Sequence, residues 1–486
     1  MFFRQFPKNF DNQLEKLIFY TIFFPFLLLV TLSLISKKII FPYILYNENL
    51  SNFLSLVFAS ICWFLFYKKL KNFFGTKLSQ IVTCLFFIKI FFNYIFIYTY
   101  QLPLYELDSS SGLDNNYGDV GLINLSILRL IYENSDIFLR FISEINYFNN
   151  KGSIIFYSLI YDSFGAFPTN VIPWDSFALA ATSLIFGYIS TIINKSSNNI
   201  FSVIIIFILP SFFLSPLLYR DIYIVLFISI SILIIFYNEE KSISLKKLFY
   251  LIFFSFILFF FRKFYFAIPI VFYLLFLIFS NKFNFKIIFI FIFISFLILF
   301  FIFLYKKLIF VDSATSGILG SNNLIIDTLR DLQLRLIHGE RYGGQIVNFI
   351  ENKNFLYKII FRTFAFLITP FPWLNFNQGF YSVYYHVLSF HVFISIMIYT
   401  QIIIQILKNE LTLYSKIMIS FFIIICLYAS FGALQFTHYY IIAGPPILIT
   451  ILNNISLKNI KKIFFISFIF SVLLHISHYL IKNIIL

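Results

Sequence analysis

The segment YELDSSSGLDNNYGDVG carries four carboxylates, Glu106, Asp108, Asp114 and Asp119, within 14 residues otherwise rich in Ser, Gly and Asn. A carboxylate in such a flexible acidic loop can act as general base on an acceptor hydroxyl. It can also help hold a divalent cation that bridges a phosphate leaving group. Asp119 and Asp114 are the first candidates for the catalytic acid and Asp108 the next. The competing reading is a solvated turn in which Asp119 caps the helix that follows.

A second polar segment, DTLRDLQLRLIHGERYGGQ, brings Arg330, Arg335, His338, Glu340 and Arg341 together ahead of Gly343 and Gly344. Guanidinium forks bind phosphate oxygens at two points, and glycines let a backbone approach closely, so the segment reads as an anion site or as the polar face of a surface helix. No Walker loop or dinucleotide fingerprint is present. Arg220 and Asp221 interrupt the apolar run from Phe201 to Tyr237, which is too long for one crossing and is broken by Pro210 and Pro216. A helical hairpin folds there, with Asp221 capping the second helix and Arg220 reaching either headgroups or a phosphate. With Arg262 and Lys263 at the next turn, Arg220 can complete a basic pocket shared with Arg335 and Arg341. His338, Glu340 and His438 are candidate substrate contacts. His475 and His478 are three apart on the last span, but without further ligands they do not make a metal site.

The elements that must position these groups are set by composition. Of 486 residues, 60% are hydrophobic and 12% charged, a profile far from that of a soluble domain. Repeated runs long enough to cross about 30 Å of hydrocarbon make an all-α, polytopic transmembrane bundle. The runs predict about thirteen spans, within a range of 11 to 15, near residues 17–36, 51–67, 80–100, 176–193, 199–216, 221–237, 248–261, 264–280, 287–305, 385–407, 414–433, 438–454 and 463–481. Segments 152–167 and 357–374 are apolar but interrupted by Asp162, Gly165, Arg362, Pro370 and Pro372, and are not counted as crossings. The first span lacks a cleavage site and is read as retained.

The net charge of +15 sits mainly as lysine beside the apolar runs, where it marks topology rather than a nucleic-acid surface. With the amino terminus cytoplasmic, Lys68, Lys69, Lys71, Lys77, Lys246, Lys247, Lys416, Lys458, Lys461 and Lys462 all fall inside. The three cysteines lie within expected spans and form no disulfide framework. The whole chain, 1–486, reads as one integral membrane domain with two long external connections, 101–175 and 306–384, carrying surface-lying helices. In the first, Ser126, Arg129, Glu133, Asp136, Arg140 and Glu144 line one helix face. Ile123, Ile127, Leu130, Ile131, Phe138 and Phe141 line the other.

This layout resembles the GT-C superfamily of multi-span glycosyltransferases and the similarly built Wzy-type polymerases of bacterial surface polysaccharides. The resemblance rests on LDNNYGDVG with the helix after it, on LPSFFLSPLLYRD at 209–221, and on TPFPWLN at 369–375. The acidic loop follows the third expected span, whereas in GT-C proteins it follows the first, and the paired acidic motif common there is absent. The GT-C resemblance implies a sugar donor linked to polyprenyl phosphate or pyrophosphate, a saccharide acceptor, the bacterial cytoplasmic membrane, and Asp114 or Asp119 as catalytic acid. The Wzy resemblance shifts the weight to Arg220, Arg262, Arg335 and Arg341 as holders of lipid pyrophosphate. The readings from another class are a transporter or flippase of lipid-linked sugars, for which Lys89 is the one clearly mid-span charge, and a noncatalytic membrane protein.

Overall fold

The computed structural model describes residues 10–39, 47–100, 127, 128, 130, 131, 151–193, 221–236, 245–261, 263–280, 407 and 413–431, with 462, 465, 466, 468, 469, 472, 473 and 476. Among these residues there is no strand. Four helical stretches are long and apolar enough to cross a membrane: Asn12–Ile35, Glu48–Phe74, Thr76–Ile95 and Pro168–Ser190. The chain is a helical membrane protein, and it divides into two compact units.

The first unit comprises Met1–Ile189, Asn199–Phe207 and Ser215–Pro269. It begins with α1 (Phe10–Ile18) and α2 (Phe24–Ile39), joined without a break by a π turn at Phe19–Phe23. Pro25 explains the join. Proline has no N–H to donate, and its ring clashes with the carbonyl four residues earlier, which here belongs to Thr21. The helix absorbs the clash by widening just before the proline, where Phe24 N–H reaches back to Phe19 O. Leu27, Leu34 and Ile35 are exposed on this span, the surface that lipid covers in a membrane protein.

Next come α3 (Glu48–Phe74) and α4 (Thr76–Tyr100), a hairpin separated only by Gly75. Trp63 of α3 is fully buried, stacked on Phe66 and on Phe86 of α4 with ring centroids 5.3 Å away in each case. Its Nε1 donates to Thr83 Oγ1 at 3.0 Å. Helices in lipid gain little from hydrophobic burial, so such ring packing and interhelical hydrogen bonds carry much of the association.

The segment expected to stay outside the crossings is a buried helix, α5 (Lys151–Phe164), which is too short to span alone. Gly165 ends it, a short 3-10 turn follows at Pro168–Val171, and α6 (Ile172–Ile193) returns. Nearly every residue of α6 is buried, as expected of a helix that is apolar all round. α7 (Asp221–Phe236) is buried from Ile222 onward and packs on α8 (Leu245–Phe261) through Phe227, whose ring lies 5.2 Å from that of Phe261. Within the amphipathic segment read from the sequence, Ile127 and Leu130 are helical and buried.

The second unit includes Ile270–Leu486. Its described parts are most of α9 (Ala267–Phe279) and α10 (Leu413–Phe431), which meet through the rings of Phe272 and Phe421. Helical positions Phe465, Ile466, Phe468, Ile469, Val472, Leu473 and Ile476 form an exposed apolar stripe.

Candidate functional site

Asp108, Asp114, Asp119, Arg220, Arg262, Arg335, His338, Glu340, Arg341 and His438 all lie outside the described residues. Within the first unit, the structure brings together a different set of polar groups.

The first part of that set is a corner. The first two turns of α3 carry a polar stripe of Glu48, Ser51, Asn52 and Ser55, spaced three and four apart on one helix face. The turn between α5 and α6 lies against this stripe. Asn170 Nδ2 donates to Ser51 Oγ at 2.7 Å and to Gly165 O at 2.9 Å. Ser51 Oγ donates to Phe164 O. Ser55 Oγ donates to Asn170 O at 2.6 Å and accepts from Trp174 Nε1 at 3.1 Å. Thr169 Oγ1 donates to Glu48 Oε1 at 2.9 Å. A backbone turn buried in a membrane protein must find partners for its polar groups inside the protein, and the α3 stripe supplies them. Behind the corner, Ser33 Oγ of α2 donates to Asp162 Oδ2 of α5 at 3.0 Å, both groups buried.

The second part carries opposite charges. Lys89 of α4 has no exposed surface, and Asp175 of α6 is 2% exposed. The two attract one another electrostatically. Asn93, one helical turn beyond Lys89, is also buried. Asp175 interacts in turn with Tyr223 of α7, which sits beside Tyr157 of α5 with ring centroids 6.1 Å apart. Tyr223 Oη is buried, and it faces the Asp175 carboxylate, which acts on it both by charge and as a hydrogen-bonding group. Four helices thus contribute one buried cluster, Lys89, Asp175, Tyr223 and Tyr157. Ionisable groups at such depth are rare in membrane helices and characteristically mark functional sites.

The third part is a cavity of ≈ 380 Å³ on the other side of Tyr223. Trp174, Ala178 and Tyr223 line it, with Phe23, Phe253 and Phe256 among the other wall residues. Phe23 stacks on Phe253 at 5.8 Å, and both Phe23 and Phe256 are exposed. The cavity therefore reaches the protein surface between the first span and α8. Thr21 also lines it, but its hydroxyl is turned to Leu17 O at 2.6 Å. At the opposite wall, Gly152 allows α5 to lie close to α8, since a Cβ there would meet the Phe260 backbone at 3.1 Å.

Lys89 was visible in the sequence as a mid-span charge. Asp175, the last residue of the first long connection read from the sequence, lies in the first turn of α6 and is buried. Tyr223 gave no signal among 32 tyrosines. Among the described residues no three His, Cys, Asp or Glu side chains gather as a metal site would require. Comparison with known protein families, curated proteins and solved structures finds no match to this chain.

Proposed function

We propose that this protein is a membrane glycosyltransferase or polysaccharide polymerase that takes a sugar from a polyprenyl phosphate or pyrophosphate and joins it to a saccharide acceptor. The observation that carries the reading is the juxtaposition, through Tyr223, of an apolar cavity with the buried Lys89–Asp175 pair. A site apolar on one side and polar on the other suits an amphiphilic substrate. The acceptor hydroxyl attacks the anomeric carbon, the bond to the carrier phosphate oxygen breaks, and the phosphate departs on its lipid. Asp119 or Asp114 takes the hydroxyl proton, while Arg220, Arg262, Arg335 and Arg341 neutralise the departing phosphate, with Glu340, His338 and His438 at the sugar. A divalent cation bridging that phosphate fits the same chemistry. The protein lies in a bacterial cytoplasmic membrane with its amino terminus inside, a placement supported by Lys68, Lys69, Lys71 and Lys77 at the α3–α4 turn. The reaction faces outward.

The Lys89–Asp175 pair favours a second reading, a transporter or flippase of lipid-linked sugars, because transporters keep charged groups at membrane depth. Purified protein in lipid nanodiscs, incubated with a panel of lipid-linked sugars and acceptors, separates the two. Transfer product that falls about 100-fold or more in Asp114→Ala, Asp119→Ala or Arg220→Ala supports the enzyme. Full transfer by all three variants overturns the residue roles. Movement of donor between leaflets of proteoliposomes with no product from any donor supports the transporter instead.

A further inference from the structure

We infer that the exposed face of the α3–α4 hairpin binds one anionic phospholipid, with Lys68 and Lys77 holding its phosphate and the apolar residues beyond them carrying its acyl chains. On α3, Ile61, Phe64, Lys68 and Asn72 are exposed at spacings of three and four, so they lie along one helix face. On α4, Lys77, Gln80, Cys84, Phe87 and Phe91 are exposed at the same spacings. The two faces adjoin, because the exposed rings of Phe64 and Phe87 meet with centroids 6.2 Å apart. The surface is therefore apolar along most of its length, and beside the Gly75 turn it becomes a set of groups able to donate hydrogen bonds, Lys68, Asn72, Lys77 and Gln80. That is the outline of an amphiphile lying along the hairpin.

Charge selects the headgroup. Lys69 and Lys71 join Lys68 and Lys77 near this turn, and the sequence holds no acid between Glu48 and Glu106. α1 packs on α3 and carries Asp11, Glu15 and Lys16, which leaves the basic groups in surplus. An ammonium on a long apolar stem reaches the headgroup level while its stem stays in hydrocarbon, and each such lysine favours an anionic lipid. A zwitterionic lipid offers the same phosphate but adds a cation that the lysines repel. Length agrees as well. One leaflet, about 15 Å of hydrocarbon, spans about ten residues of helix, the distance along α4 from Lys77 to Phe87. Binding of this lipid does not depend on sugar transfer.

Native mass spectrometry of the full-length protein in detergent, titrated with phosphatidylglycerol or with phosphatidylcholine of the same chains, reads the site directly. One phosphatidylglycerol should bind saturably and ahead of any phosphatidylcholine. Lys68→Gln/Lys77→Gln should weaken that binding about 25-fold, two lysines at about five-fold each, whereas Lys68→Arg/Lys77→Arg should keep it. Lys458→Gln/Lys461→Gln removes the same charge from another turn and should leave the binding unchanged. With Cys426→Ser in place, phosphatidylglycerol should also slow maleimide labelling of Cys84 in detergent, and phosphatidylcholine at the same concentration should not. That readout needs no lysine variant, so it stands even if the glutamine variants fail to fold. Equal binding of the two lipids, an equal loss in Lys458→Gln/Lys461→Gln, or labelling of Cys84 that phosphatidylglycerol leaves unchanged overturns the inference. So does tighter retention of a polyprenyl phosphate, which would make the face a carrier site, or a dimer that shields Cys84 without lipid.

Discussion

Asn170 Nδ2 donates to Ser51 Oγ at 2.7 Å, tying the turn between α5 and α6 to a helix 119 positions earlier in the chain. The same amide group holds Gly165 O, and the Asn170 carbonyl holds Ser55 Oγ. One side chain therefore fixes where α6 starts. Asp175 and Trp174 sit in the first turn of that helix, so the corner also sets the position of the charge pair and of one cavity wall.

Replacing Asn170 should consequently cost more than a surface polar residue. Asn170→Ala leaves Gly165 O and Ser51 Oγ short of a donor at a buried site, at about 1–3 kcal/mol for each group left unsatisfied. Thermal unfolding of the detergent-solubilised protein, followed by size-exclusion chromatography, should show a clear fall in midpoint. Ser51→Ala combined with Asn170→Ala should cost less than the sum of the two single changes, because the two side chains are hydrogen-bonded to each other. Strict additivity would mean that the two residues act independently.

Gly165 is constrained twice. Its φ is +110°, and a Cβ there would meet Ser51 Oγ at 3.2 Å and the Phe167 ring at 3.3 Å. Gly165→Ala should destabilise the protein by about 1 kcal/mol or more, and Gly165→Val by more than Gly165→Ala. A midpoint for Gly165→Ala equal to that of the wild type would show that the turn relaxes freely.

The class of fold was legible because apolar length is a strong signal, and a helix that must satisfy its own backbone leaves long runs with few charges. The corner was less legible, although half of it was written in the sequence. Glu48, Ser51, Asn52 and Ser55 follow helical spacing within an apolar run, and such a stripe implies a polar partner inside the bundle. What periodicity does not give is the identity of the partner, since Asn170 and Trp174 are more than 100 positions away. α5 shows the same limit. Asp162 and Gly165 interrupt the apolar run, and the helix does end at Gly165, but the sequence does not show that Ser33 holds Asp162 or that Gly165 makes a buried turn. The acids and arginines of the two long connections are candidates from sequence alone.

Cysteine reactivity offers a check on packing. Cys62 is buried on α3 beside Trp63, whereas Cys84 is exposed on the outer face of α4 with Phe87, Ile88 and Phe91. With Cys426→Ser in place, a small membrane-permeant maleimide should label Cys84 in detergent and leave Cys62 unmodified until the protein unfolds. A membrane-impermeant maleimide should label neither in intact bilayers, since the exposed face of α4 is then covered by lipid. Ready labelling of native Cys62 would contradict the α3–α4 packing.

Lys89 and Asp175 provide the sharpest separation of structure from function. Removing one member of a buried charge pair strands the other in a medium that solvates it poorly, at about 3–5 kcal/mol, whereas replacing both by neutral groups is often nearly neutral. Lys89→Met and Asp175→Asn should therefore each lower the unfolding midpoint in detergent, and the double variant should recover most of the loss. Activity discriminates further. If the pair only holds α4 to α6, the rescued double variant will regain transfer or transport in proportion to its folded fraction. A pair that serves the substrate leaves the double variant stable and inactive, the outcome expected from its place beside Tyr223. Full activity in a stable Lys89→Met/Asp175→Asn protein would reduce the pair to a structural fastening and remove it from the site.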